Sequence, residues 1–308
     1  MSAFRPLARR HLWAIIGICA FLVFDALLVA WALTATHPSS PGKAGPIPTF
    51  TNYPQTFTPT PTSTDAPASA SMTAAPRVLV AVSATEAYRA TPGACTGGDT
   101  VIEKSTDAGA TWNALDTSGY GFHTTLALYD ATDTRLSAVE GAGASCAPST
   151  YSSFTGGQFW QEYPQNLSSA TYVDPEDAST IHTAAGAEDA PCSAALKVSA
   201  ASNSTAVLCA GAVYTRTGSG DWSAAQIPGV LALTTAADSG YTLAVSGVTG
   251  CSGIAIETLA VGGASPTLTG CLTSATSPAG VTLARSGSTL WLWSNDTVSI
   301  SGDGGVTW

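Results

Sequence analysis

Charge is what this 308-residue chain has least of: Asp, Glu, Lys and Arg make up 10% of it, against 45% hydrophobic residues. Positive charge is the scarcer sign, 11 Lys and Arg against 21 Asp and Glu, for a net charge of −10. Three of the cations (Arg5, Arg9 and Arg10) fall in the first ten residues, so the rest of the chain is strongly acidic. That balance argues against a nucleic-acid partner, whose phosphates need Lys and Arg to displace their counterions. Histidine is scarce too: there are four, with no H-x-x-H or H-E-x-x-H spacing, and no cysteine stands in a C-x-x-C pair or a Cys/His cluster. Zinc and thioredoxin chemistry are therefore not expected. No G-x-S-x-G elbow is present for a serine hydrolase. The acidic clusters Asp174/Glu176/Asp177 and Glu188/Asp189 lack EF-hand spacing and read as solvated loops. No metal and no cofactor is expected.

Apolar residues are plentiful, and that excludes a chain disordered throughout. Residues 12–33 (LWAIIGICAFLVFDALLVAWAL) carry a single charge, Asp25. At 1.5 Å per residue this run matches a hydrocarbon core of about 30 Å. Its N-terminal flank is basic and the next cation after it is Lys43, so the positive-inside rule places the N-terminus in the cytoplasm and the remaining mass outside. Ala30-Trp31-Ala32 has the form of a signal-peptidase site, but signal h-regions run only about 7–15 residues, so an uncleaved single span is expected. The division that follows is a cytoplasmic tail (1–11), a transmembrane helix (12–35), a linker (36–77) and an extracytoplasmic domain (78–308). The linker holds nine prolines among Ser and Thr. Such chains favour extended polyproline II at about 3.1 Å per residue and act as spacers.

Cys19 lies in the apolar run and six cysteines follow it: Cys95, Cys146, Cys192, Cys209, Cys251 and Cys271. An even number in an exported domain points to disulfides. Six cysteines allow about 15 pairings; closure between sequence neighbours gives Cys95 with Cys146, Cys192 with Cys209, and Cys251 with Cys271.

Self-comparison shows the fold most directly. Residues 105–112 (STDAGATW) and 301–308 (SGDGGVTW) share the octet S-x-D-x-G-x-T-W, carried by Ser105, Asp107, Gly109, Thr111 and Trp112, and by Ser301, Asp303, Gly305, Thr307 and Trp308. Residues 153–160 (SFTGGQFW) form a weaker copy that keeps Gly157 and Trp160; residues 215–222 (TRTGSGDW) keep mainly Trp222. In such an octet Ser and Asp bond the turn's own backbone, Gly permits positive φ, and Trp anchors the corner by burying its ring.

These octets resemble the Asp-box, or bacterial neuraminidase, repeat of sialidases, related glycosidases and photosystem II assembly factors. The resemblance implies an all-β propeller in which Asp107 and Asp303 are turn residues rather than catalytic ones. Short strand patterns on either side of the octets agree with about five four-stranded blades. The third is the least regular, because 168–192 is long, acidic and weakly periodic. The last stops after its third strand, and the segment just before Val78 is expected to supply the fourth. A sialidase of this kind holds its substrate carboxylate on three arginines. Arg216 falls in the degenerate octet, which leaves Arg89, Arg135 and Arg285 as ligand-binding candidates. Residues 88–92 (YRATP) depart from the Phe/Tyr-Arg-Ile-Pro motif by one extra residue. The expected function is therefore a membrane-anchored binding or scaffolding module with a protein or glycan partner in the envelope. A sialidase-like hydrolase and an assembly or stability factor for a membrane complex are the alternatives.

Overall fold

Short runs rich in Val, Leu, Ile, Ala and Thr, separated by Gly-bearing turns, fold here as antiparallel strands. The computed structural model describes Leu22, Leu27 and residues 77–236, 240–274 and 280–308. The chain divides into two units, Met1–Ala68 and Ser69–Trp308. In the first unit only Leu22 and Leu27 are described, both helical. The expected span over 12–35 otherwise lies outside the described residues, as does the linker over 36–76. Among the described residues no helix is long and apolar enough to cross a membrane.

The second unit is six antiparallel sheets. The first runs β1 (Val78–Ala81), β2 (Ala87–Thr91), β3 (Val101–Ser105) and β4 (Asn113–Ala114). Next come β5 (Phe122–Tyr129), β6 (Leu136–Ala142), β7 (Ala147–Ser153) and β8 (Gln161–Glu162). The third sheet has three strands, β9 (Tyr172–Val173), β10 (Thr180–Thr183) and β11 (Gly186–Asp189). The fourth comprises β12 (Ala195–Ala201), β13 (Ser204–Cys209), β14 (Ala212–Thr217) and β15 (Ser223–Gln226). The fifth comprises β16 (Val230–Thr235), β17 (Gly240–Ser246), β18 (Ile254–Ala260) and β19 (Thr267–Leu272). The sixth has β20 (Thr282–Ser286), β21 (Thr289–Ser294) and β22 (Thr297–Ser301). First strands of successive sheets are neighbours, and β20 returns to β1, so the sheets close as blades of a propeller. The seam is bonded: Ser286 Oγ donates to the Val82 carbonyl (2.7 Å) and Trp291 Nε1 to the Ser83 carbonyl (2.9 Å).

The blade count corrects the expectation: there are six, not five. All five expected blades are present, and the sixth is built from the irregular acidic stretch 168–192. Its inner strand, β9, spans only two residues and is preceded by a 3₁₀ turn, Pro164–Ser169, that lies beside β7. Proline has no N–H for a ladder, so this stretch shows no strand periodicity. Tyr172 and Ile181 still bury themselves as blade core. The expected fourth strand of the last blade, to come from before Val78, lies outside the described residues.

The two full octets fold identically. Gly109 N–H donates to Ser105 Oγ (2.9 Å), Thr111 N–H and Oγ1 donate to the Asp107 carboxylate (2.9 and 2.6 Å), and Trp112 Nε1 caps the Gly109 carbonyl (3.1 Å). Gly305, Thr307 and Trp308 repeat these bonds on Ser301, Asp303 and the Gly305 carbonyl. Donation from Thr111 and Thr307 holds both carboxylates below the usual aspartate range. The weaker copy reaches the same shape with Thr155 in the Asp position, which accepts the Phe159 N–H (3.0 Å), while Trp160 Nε1 caps Gly157 (3.1 Å). The degenerate copy does not: Thr215 Oγ1 accepts from Gly262 N–H instead (2.8 Å), and Trp222 lies under the Arg216 guanidinium.

Each true corner wedges against the preceding blade. A Cβ on Gly157 would fall 2.3 Å from Leu115 beyond β4, and one on Gly305 would fall 2.7 Å from Ile256 of β18. Trp112 meets Trp291 of β21 edge-on at 6.3 Å. Antiparallel alternation puts the corners, each following the third strand of its blade, at one end of the ring. The three disulfides lie at the other: Cys95–Cys146 ties the β2–β3 connection to the β6–β7 connection, Cys192–Cys209 ties the entry to β12 to the end of β13, and Cys251–Cys271 staples β18 to β19. All three pairings are those expected from the sequence.

Two substitutions test these corners. Trp160, 6% exposed and packed edge-on to Phe122 at 5.6 Å, is expected to cost about 3–5 kcal/mol when changed to Ala, measured by urea unfolding. Ala108 holds φ +59° where the other two corners have Gly. Ala108→Gly should therefore raise stability by up to about 1 kcal/mol, the left-handed penalty less glycine's entropy; a fall in Tm would contradict the assigned corner.

Candidate functional site in the central channel

The inner strands of five blades and the segment around the 3₁₀ turn enclose a cavity of about 290 Å³ on the ring axis. Its wall draws on β1, β5, β12, β16 and β20, with Ser169, Ala170 and Thr171 leading into the short β9 of the third blade. A smaller cavity of about 110 Å³ opens at the disulfide end, between the starts of β5 and β12, with both β9 residues in its wall. Val78, Thr171, Lys197 and Val198 line both cavities. The wall is mixed, with polar atoms making up the larger part of the axial cavity's surface, and among the described residues neither cavity is lined by an Asp or Glu.

From residue 77 onward the chain has seven cations. Four are ion-paired: Arg89 with Glu103 (2.7 Å), Lys104 with Glu86 (2.6 Å), Arg135 with Asp130 (3.0 Å) and Arg216 with Glu188. The other three, Arg77, Lys197 and Arg285, are the ones that line the channel cavities. Arg77 sits over the Trp293 ring at 4.4 Å and bonds the Asn295 carbonyl. Burial lowers its pKa, with Asp296 opposing. Arg285 donates to the Gly287 carbonyl (2.9 Å) and to Thr242 Oγ1 (3.2 Å). Lys197 has no hydrogen bond or ion pair to any described residue. The residue is half-buried and lines both cavities, and desolvation there pushes its pKa down. Tyr129, at the far end of β5, also lines the channel, and its buried hydroxyl has no partner.

The three arginine candidates do not share a cavity. Arg89, on β2, is clamped between the Trp112 and Trp293 rings (4.2 and 4.7 Å) and held by Glu103. Arg135 is exposed in the β5–β6 turn. Only Arg285 borders the axial cavity. The octet residues sit in the corners and not on the axis. A larger cavity of about 470 Å³ lies between the corners of the first two blades. Its one cation, Lys104, is already bound to Glu86 and to the Asp133 carbonyl (2.7 Å), so it offers no free group. Sequence reasoning missed Lys197 and gave Arg77 to the linker. The available signal was a lysine in the apolar run Ala195–Ala201, the last lysine of the chain.

Behind the channel mouth, Glu140 of β6 is fully buried. Its carboxylate accepts from Thr125 Oγ1 (2.9 and 3.2 Å), which in turn contacts Thr100 Oγ1 at 2.7 Å. Burial raises its pKa well above the carboxylate range, outweighing the Thr125 bond.

Fold and channel together define the chain as a six-bladed β-propeller. No family model matches the sequence, and no curated protein matches it. Among solved structures it is similar to a GH74 enzyme from Niastella koreensis (15% identity over 74% of this chain and 45% of that one, TM-score 0.41). It is also similar to YCF48 bound to D1 peptide (15%, 77% and 82%, TM-score 0.38) and to a putative 6-phosphogluconolactonase from Bacteroides fragilis (12%, 75% and 81%, TM-score 0.42). The chain spans under half the length of the GH74 enzyme. Likeness at this level carries no argument about activity.

Glu140 makes stability pH-dependent with a definite sign. A raised folded pKa means the folded state holds a proton that the unfolded state has released. Stability is then full below about 4.5, the unfolded value, and falls as pH rises toward the folded pKa. Glu140→Gln removes this loss. Its Tm advantage over the wild type is expected to grow between about pH 4 and about pH 8; a constant difference would contradict the assignment.

Proposed function

We propose that this chain is a membrane-anchored, extracytoplasmic propeller of the Asp-box kind, which binds a ligand of the cell envelope without turning it over. The observation that carries this reading is the lining of the channel: cations, hydroxyls and aliphatic walls, with no carboxylate among the described residues. Glycoside hydrolysis in most families needs two carboxyl groups flanking the scissile bond. The separated arginines, each held by its own partners, support the same conclusion. Three disulfides suit an oxidising compartment outside the cytoplasm. The apolar run over 12–33 and the proline-rich linker supply anchor and spacer.

The test uses the full-length protein in detergent. It is expected to leave a panel of fluorogenic glycosides intact, a sialoside included, and in cells to stay in the membrane fraction after alkaline carbonate. Turnover of the sialoside that is lost in Arg89→Ala and Arg285→Ala would overturn the binding reading.

A further inference from the structure

We propose that the central channel is a binding site for a small hydroxylated monocarboxylate, seated with its carboxylate on the ammonium of Lys197 and its body against the mixed polar and aliphatic channel wall. The inference deepens the binding reading above and rests on it. An ammonium enclosed in a low-dielectric site is costly unless it is paired. Every other cation from residue 77 onward is satisfied by a carboxylate, a backbone carbonyl or an aromatic face. Among the described residues Lys197 has none of these, in a domain with an excess of acidic residues to choose from. It stands where the two cavities meet, and Thr171, next to the two-residue inner strand of the third blade, lines both with it. The vacant partner of Lys197 is therefore an anion from outside the chain.

The class of anion follows from what surrounds the ammonium. The titratable or charged groups that line the two cavities with it are Tyr129 from β5, Tyr172 from β9, Arg285 from β20 and Arg77 before β1. Both arginines keep their charge but spend N–H donors on neutral oxygens, so among the described residues Lys197 is the cavity cation with no hydrogen bond of its own. One ammonium can meet the two oxygens of a carboxylate, whereas a phosphate or sulfate presents more acceptor oxygens than it can satisfy. Val80 and Ala200 share the cavity lining with Thr171, Ser199 and Thr234, a mixed wall suited to a hydroxylated carbon skeleton. A volume of about 290 Å³ admits a small metabolite and not a polymer.

The experiment titrates the full-length protein with lactate, glycerate, gluconate and glucuronate, with gluconamide as the neutral control and inorganic phosphate and sulfate as competing anions. Binding is read by calorimetry and by thermal shift. At least one monocarboxylate is expected to bind saturably, at least tenfold more tightly than phosphate, sulfate or gluconamide, and to lose at least tenfold in affinity in Lys197→Met. Without ligand, Lys197→Met is expected to melt higher than the wild type, since it removes an unpaired charge and keeps the shape; Lys197→Gln serves as a second variant. The proposal is overturned if no monocarboxylate binds, if binding survives in both variants, or if phosphate or sulfate binds as tightly. It is also overturned if both variants melt lower or fail to fold, because the ammonium would then already have its partner. Failure here with the glycosides still intact leaves the binding reading standing, whereas glycoside turnover removes both.

Discussion

The ring depends on one small arrangement: a corner in which a Ser hydroxyl and an Asp carboxylate bond their own backbone and a Trp indole caps the glycine carbonyl between them. Turn-closing side chains of this kind save the chain from leaving N–H groups unpaired where a strand ends. The corner also points the Trp ring inward, and a buried indole contributes far more than the turn itself. Because each true corner presses on the blade before it, local turn chemistry becomes long-range structure. The first corner packs against the last blade through Trp291 and so joins residues nearly 200 positions apart. Thr155 in place of Asp shows that the corner needs an oxygen acceptor at that position more than it needs a charge.

Holding the blades together at the periphery has a consequence on the axis. With corners at one end and disulfides at the other, the centre need not be close-packed, and a cavity survives there. The third blade contributes an inner strand of only two residues to it. The least regular part of the propeller thus borders its most polar internal feature, Lys197. Acidic residues outnumber basic ones in the composition, yet among the described residues none lines the channel, whose charged groups are all cations.

Much of this was legible beforehand. The octets and the alternating runs beside them marked five blades close to where they stand, since corner and strand signals are local. Sequence proximity was enough to pair the cysteines because the connections that carry them are neighbours at one end of the ring. The sixth blade was hidden by a two-residue strand and by a proline where periodicity should have been. The site was legible least of all. A single sequence shows which residues alternate but not which face of an inner strand meets the axis. The arginines drew attention as a possible triad, while Lys197 passed as an ordinary strand residue. Trp222 illustrates the opposite error, a terminal Trp without the bonds that make a corner.

The most direct test of the closed, corner-locked ring is native-state hydrogen exchange at the amides of Gly109, Gly157 and Gly305. If the corners lock the blades, all three exchange only through global unfolding, with the same free energy as Leu292 at the centre of β21. Fast exchange at these glycines while β21 stays protected would show that the corners open independently, and the account of ring closure would be wrong.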